Sequence, residues 1–296
     1  MCIYQEAPKE GKTVRQLIVT ADDYGMSKAV NSAIDQGISA GLISSTNVMT
    51  NMDYYEEAEK LAKENVSVGL HWVLTCGKPV LQAGEIPSLV REDGYFYSYP
   101  EFRQRYRKGL ISNEDIKKEL IAQYERYVQL LGNPDYWNTH QNVHVDFKIY
   151  GLFVSVAVEL GIHSMRSHQR IYVPASQSEG KISWKWRLVE PLKSRLLNIW
   201  QGRAHRKGIA SPNGLIVLLR ESDANDLNYV FSHIDWGKNE IGEYVIHPAT
   251  EEDSPYFGRI GKKRIQEYLQ FTAEDTRKIL AENEIRLSNY GDIQKK

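Results

Sequence analysis

Residues 16–20, QLIVT, run through ADDYGM at 21–26 into SKAVNSAIDQGISA at 27–40, and Gly41 follows. The first stretch is rich in apolar and β-branched residues and predicts a short strand. Ser27 is a natural N-cap and Gly41 a natural stop, so the stretch between them predicts a helix. ISSTNVMT at 43–50, a helical stretch from Asp53 to about Asn65 and VSVGLH at 66–71 repeat the pattern. These are consecutive βα units.

The alternation pauses between Cys76 and Ile111, where Gly, Pro and the aromatic residues Tyr95, Phe96, Tyr97, Tyr99, Phe102 and Tyr106 crowd a stretch without periodicity. Ser112-Asn113-Glu114-Asp115 then reads as a capping box. An amphipathic helix follows to Leu131, with apolar residues at 116, 120, 121, 124, 127, 128 and 131 on one helical face. Next come YWNTH at 136–140, a helix over about 148–160 stopped by Gly161, and IHSMR at 162–166. A second irregular segment begins at 167, and a helix including Trp184 to Trp200 follows it. GLIVLL at 214–219, a helix near 224–234, GEYVIH at 242–247, one or two helices over about 260–283 and IRLSNY at 285–290 complete the chain. Seven or eight short strands separated mostly by helices predict an α/β fold, a distorted (β/α) barrel, complete or one unit short, rather than an open doubly wound sheet. The expected organisation is one domain over 1–296, with a lead-in at 1–14 and insertion loops at about 76–111 and 167–182.

A chain of 296 residues can bury roughly 75% of its unfolded surface without disulfides. Lys and Arg number 37 against 38 Asp and Glu, so no strong positive field is available for gripping nucleic acid or an anionic membrane surface. Two cysteines, Cys2 and Cys76, support neither a disulfide framework nor a cysteine-based zinc site, and a reducing cytoplasm is the expectation. The N-terminal MCIYQEAPKEGK carries charges where a signal peptide needs an apolar core. The longest uncharged apolar stretch, Ile149 to Val158, falls short of the about 20 residues that cross a bilayer.

Chemistry-bearing residues fall at strand ends. Asp22 and Asp23 follow the first strand, His71 ends the third, His140 the fourth, Arg166 the fifth, and His247 the one after GLIVLL. In a barrel those ends converge on one face, where active sites are built. Adjacent carboxylates after a strand often cap a helix and make a turn, but Ser27 already supplies the cap. One aspartate can then ligate a cation while its neighbour takes a proton from water. His140 and His144 have the i, i+4 interval that serves a metal on a helix, although the preceding strand argues against a helix there. His163, His205 and His233 read as structural or solvated, and His168 is undecided. Two histidines and an aspartate make a site usable by Zn, Mn, Co or Mg.

TADDYGMSKAVNSAI, GLISSTNVMTN, VGLH at 68–71, THQNVH at 139–144, YVIHP at 244–248 and the closing RIQEYLQFTAEDTRKILAENEIRLSNYGDI occur in that order over about residues 16–292. Together they resemble the YdjC-like (ChbG-like) carbohydrate deacetylases, metal-dependent hydrolases that remove acetyl groups from N-acetylated sugars such as chitooligosaccharides. The resemblance implies a barrel similar to that of NodB-type deacetylases and one divalent ion, Mg or Zn first and Mn or Co next, held by Asp23, His71 and His140. It makes Asp22 the general base, His247 the general acid or an oxyanion partner, and Arg166 the residue that orients the base. The family pattern Ser-His-x-His-x-His reads Thr139-His140-Gln141-Asn142-Val143-His144 here, so Asn142 replaces the middle histidine. After His247, Pro-Ala-Thr stands where a glycine usually follows the proline. Asn142, His144 and Trp72 are candidate substrate contacts, the tryptophan by stacking on a sugar ring, with ordinary packing as the competing reading for any one aromatic residue.

The implied reaction is hydrolysis of an acetamide by metal-activated water, with a small acetylated sugar as partner, no nucleic acid and no membrane, and a homodimer left open. A metal-dependent phosphoesterase is the alternative, although two-metal versions need more carboxylates. A non-catalytic sugar-binding barrel is the third reading, opposed by the joint presence of Asp22, Asp23, His71, His140 and His247.

Overall fold

The computed structural model describes residues 14–146, 148–176 and 184–294; most of the lead-in and part of the second insertion lie outside them. The chain opens with β1 (Arg15–Tyr24), α1 (Lys28–Ser39), β2 (Ser45–Val48) and β3 (Ser67–Trp72). It continues through α2 (Tyr99–Arg107), α3 (Asn113–Leu131), β4 (Trp137–Thr139), α4 (Tyr150–Glu159) and β5 (Arg170–Val173). The last part contains α5 (Trp184–Arg206), β6 (Gly214–Leu218), α6 (Leu227–Ser232), β7 (Ile241–Ile246), α7 (Gly261–Gln270), α8 (Glu274–Glu282), β8 (Ile285–Leu287) and α9 (Tyr290–Gln294).

The strands lie in the order β4-β3-β2-β1-β7-β6-β5 and every ladder is parallel. Residues 164–165 bridge to Trp137 of the edge strand β4 on one side and to Ala210, ahead of β6, on the other. The result is a distorted seven-stranded ring. The eighth strand does not enter it: β8 pairs with Arg15–Leu17, while β7 takes Gln16 to Ala21 on the opposite edge of β1 and β2 starts only at Thr20.

Three local expectations change. The aromatic-rich excursion contains α2, whose Glu101 accepts the Ser98 backbone N–H at 3.0 Å; Ser98 and Glu101 are a capping box that the missing periodicity hid. The helical stretch expected from Asp53 to about Asn65 is shorter, a 3-10 helix over Tyr55–Lys63. The fifth strand is Arg170–Val173, inside a segment expected to be irregular, and 163–166 make only bridges. Between them the His168 N–H donates to Gln201 Oε1 at 2.9 Å, which interrupts the ladder.

Alternation along β1 separates two environments. Leu17, Val19 and Ala21 pack into the main core with Ala29, Val30 and Ile34 of α1. Ile18 joins Tyr136, Ile241 and Tyr290 in a small separate cluster, in which the two tyrosine rings stack at 3.6 Å. This cluster plugs the inside of the ring. Gly69 of β3 leaves room for it, since a Cβ there would lie 2.6 Å from the Tyr136 ring. Gly69→Ala is therefore expected to cost about 1–3 kcal/mol through overpacking, read as a lowered denaturant midpoint; an unchanged midpoint would show that the ring can move aside.

Candidate active site

By strand parity Asp22 follows Ile18 and Thr20 toward the inside of the ring, and Asp23 ought to face the helices. A register shift between Ala21 and Tyr24 against β2 and a left-handed backbone at Asp23, φ 77°, turn the second carboxylate back toward the mouth. Such an irregularity re-aims side chains next to functional sites. Asn47 of β2 supports both residues: its Oδ1 accepts the Asp23 N–H at 3.3 Å and its Nδ2 donates to Asp22 Oδ1 at 2.6 Å.

His71 and His140 meet Asp23 there. Asp23 Oδ1 lies 3.3 Å from His71 Nε2 and 3.1 Å from His140 Nδ1, and all three residues are buried. His140 leaves β4 on a tight turn in which Gln141 and Asn142 both adopt positive φ, 56° and 52°. The other Asp23 oxygen accepts from Arg264 of α7. Burial would push the Asp23 carboxyl up, but the Arg264 guanidinium and His140 hold it well below the usual carboxylate range. Apart from its 3.3 Å approach to Asp23, His71 Nε2 is buried and has no hydrogen-bond partner among the described residues. An orphaned ring nitrogen aimed at a carboxylate, with a second histidine beside it, fits a divalent ion with one aspartate and two histidine ligands.

Asp22 is built for a different task. Arg166 donates to it through both terminal nitrogens, at 2.6 and 2.7 Å, and gives its Nε to Glu243 of β7 at 3.0 Å. The Tyr290 hydroxyl donates to the second Glu243 oxygen at 2.8 Å. Burial opposes the charge on Asp22, yet Arg166 overrides it and holds the carboxyl far below its ordinary pKa. His247 Nε2 lies 3.8 Å from Asp22 Oδ2. Burial depresses its imidazole to about 4, so its resting form is neutral at pH 7. Its backbone N–H donates to Glu267 of α7 at 2.7 Å.

Two sequence-derived substrate contacts are corrected. Trp72 is 0% exposed, donates its indole N–H to the Leu120 carbonyl at 3.0 Å and packs against Trp137 and Phe153, so it presents no face to a sugar. His144 is also 0% exposed; its Nδ1 meets Thr139 Oγ1 at 2.5 Å and its Nε2 meets His168 Nε2 at 3.0 Å. The i, i+4 spacing does not bring His140 and His144 to one ion, because the turn after β4 sends them in different directions. Asn142 is exposed beside His140.

The partners Arg264, Glu243, Tyr290, Asn47 and Glu267 are not identified by sequence reasoning. Arg264 and Glu267 lie in RIQEYLQ, a stretch that carries the family resemblance but whose buried charges look like a solvated helix face. Among the described residues no helix is long and apolar enough to cross a membrane.

The family described as YdjC-like protein matches residues 16–282. A carbohydrate deacetylase from Geobacillus stearothermophilus is 40% identical over 132 residues, 44% of this chain and 51% of that protein. A chitooligosaccharide deacetylase from Escherichia fergusonii is 34% identical over 161 residues, 53% of this chain and 62% of that one. The chain thus matches about half of the first relative's length and under two thirds of the second's. A carbohydrate deacetylase from Brevibacillus brevis aligns more completely, 27% identical over 94% of this chain and 99% of that protein. The solved structure of a candidate cellobiose-phosphate cleavage protein from Enterococcus faecalis V583 shares the fold, with a TM-score of 0.71 at 24% identity over 94% of this chain and 98% of that one. With the match running through nearly every element that builds the mouth, this chain belongs to the YdjC-like protein family.

Proposed function

We propose that the protein hydrolyses the acetamide of a small N-acetylated sugar, using one divalent ion held by Asp23, His71 and His140. The observation that carries this reading is the division of labour between the two aspartates. Asp23 faces two histidines at 3.1–3.3 Å, whereas Asp22 is clamped by Arg166 within reach of His247. The deacetylase names of three relatives point the same way. When bound, the ion supplies Lewis-acid polarisation and lowers the pKa of water enough to make a nucleophile at neutral pH.

Asp22 Oδ2 is the proton acceptor. Arg166 keeps it ionised at all physiological pH values and fixes both oxygens. So weak a base passes the proton on rather than keeping it. His247, with its pKa near 4, is the more basic of the two; its Nε2 lies 3.8 Å from Asp22 Oδ2 and takes the proton when the two groups close to hydrogen-bonding distance or through one bridging water. It then delivers the proton to the departing nitrogen, which leaves as a neutral amine; the second product is acetic acid, which gives its remaining proton to solvent or to the freed amine at neutral pH and becomes acetate. Asn142, exposed on the turn beside His140, is placed to meet the sugar.

In the metal-free protein burial opposes a charge on His140, but the Asp23 carboxylate raises its pKa to about 9. Its proton must leave before the nitrogen can ligate. Loading Zn²⁺ at pH 7 is expected to release about one proton, and affinity is expected to rise with pH until about 9 and then level off. Titration calorimetry in buffers of different ionisation enthalpy reads this directly; proton-neutral binding at pH 7 would show that His140 is already neutral in the metal-free protein.

Incubating the protein with di-N-acetylchitobiose and with p-nitrophenyl phosphate separates the readings. Acetate release that a chelator stops supports deacetylation. Phosphate release alone would replace it with the phosphoesterase reading, and sugar binding without turnover would replace it with a non-catalytic barrel.

A further inference from the structure

Asn138 sits between the two halves of the site. It pairs with His71 across the β3–β4 ladder, which sets both side chains on the same face of the sheet. It is 1% exposed. One end of its amide lies 2.5 Å from His71 Nδ1. The other end lies 2.9 and 3.0 Å from the two terminal nitrogens of Arg166 and 3.1 Å from Asn47 Nδ2.

These contacts make conflicting demands. Arg166 and Asn47 present only N–H groups to that second end, so they call for the amide oxygen there. The NH2 then faces His71 and must donate to Nδ1, which places the ring proton on Nε2, the atom directed at Asp23 Oδ1. A His71 that ligates through Nε2 needs the reverse: its proton sits on Nδ1 and requires an acceptor. Only the amide oxygen can supply it, and the NH2 is then turned against three donors.

We infer that Asn138 is a positioning residue that sets the His71 tautomer, and that its amide turns over when the metal site fills. In the empty site the oxygen serves Arg166 and Asn47, and His71 carries its proton on Nε2. In the filled site the oxygen serves His71 Nδ1–H, and Arg166 keeps Asp22 and Glu243 as acceptors. Asn138 thus opposes loading and couples the ion to the guanidinium that holds the proton acceptor. This rests on Asp23, His71 and His140 being the metal site.

A carboxylate at 138 removes the conflict, because it accepts on both sides. Asn138→Asp is expected to bind Zn²⁺ about tenfold tighter than the unchanged protein, and Asn138→Leu, which offers His71 no acceptor, about tenfold weaker, both by competition with a chromophoric chelator. Long-range proton–nitrogen correlation spectra of histidine-labelled protein report the tautomer without any variant. They should show His71 protonated on Nε2 in the stripped protein and on Nδ1 once Zn²⁺ is added. A His71 that already carries its proton on Nδ1 without metal, or a folded Asn138→Asp that binds Zn²⁺ no tighter, would overturn the inference. If Asn138→Asp does not fold, the tautomer and the leucine variant decide. Failure of the unchanged protein to take up one Zn²⁺ per chain would instead sink the metal site itself, so the two failures are distinguishable.

Discussion

Asp22→Asn and Asp23→Asn are expected to fail in different ways although the residues are neighbours. Asp23→Asn removes the only carboxylate of the three-residue cluster and leaves Arg264, which donates to it in the buried site, without its anion. The expected result is a protein that no longer retains Zn²⁺ through gel filtration and releases no acetate. Asp22→Asn keeps the three proposed ligands and removes the proposed proton acceptor, so Zn²⁺ is expected to stay at the level of the unchanged protein while turnover falls by about 10²–10⁴. Metal analysis beside an acetate assay checks both. If Asp22→Asn emptied the site and Asp23→Asn left it full, the two roles would be exchanged.

Arg166→Met carries the second large effect. Arg166 is 4% exposed and lies between Asp22 and Glu243, 3% and 0% exposed, with hydrogen bonds to both. Removing the guanidinium leaves two carboxylates buried without their cation, which costs about 3–5 kcal/mol when one partner of a buried ion network is deleted. Adding Glu243→Gln removes one of those charges and is expected to recover part of the stability but none of the activity, since Asp22 keeps only the Asn47 hydrogen bond and still lacks the guanidinium. Equilibrium denaturation of the single and double variants measures this. A single variant within about 1 kcal/mol of the parent would show that water or rearrangement satisfies both acids.

The strand ends were legible because they need only local information. An apolar run that stops at a polar residue marks where a strand nears its end, and the barrel rule places those ends together; His71, His140 and His247 were found that way, Asp22 and Asp23 lie near the end of β1 rather than after it, and Arg166 follows isolated bridges rather than a strand. What surrounds them was not legible, because it depends on register and parity. Asn138 matters through being opposite His71 in the β3–β4 ladder, and Glu243 through facing Arg166 from β7. Trp72 and His144 were misread for the same reason: nearness in sequence to His71 or His140 does not say which side of a strand or turn a side chain takes. The short β5 strand was hidden in a segment whose ladder is broken by Gln201, a contact made from another helix.

The most direct test is a titration of stripped protein with Zn²⁺ while acetate release from di-N-acetylchitobiose is followed. The site of Asp23, His71 and His140 predicts no release without metal, a linear rise as Zn²⁺ is added, and a break at one ion per chain. Acetate released by the stripped protein, or a rise that continues to two ions per chain, would contradict it.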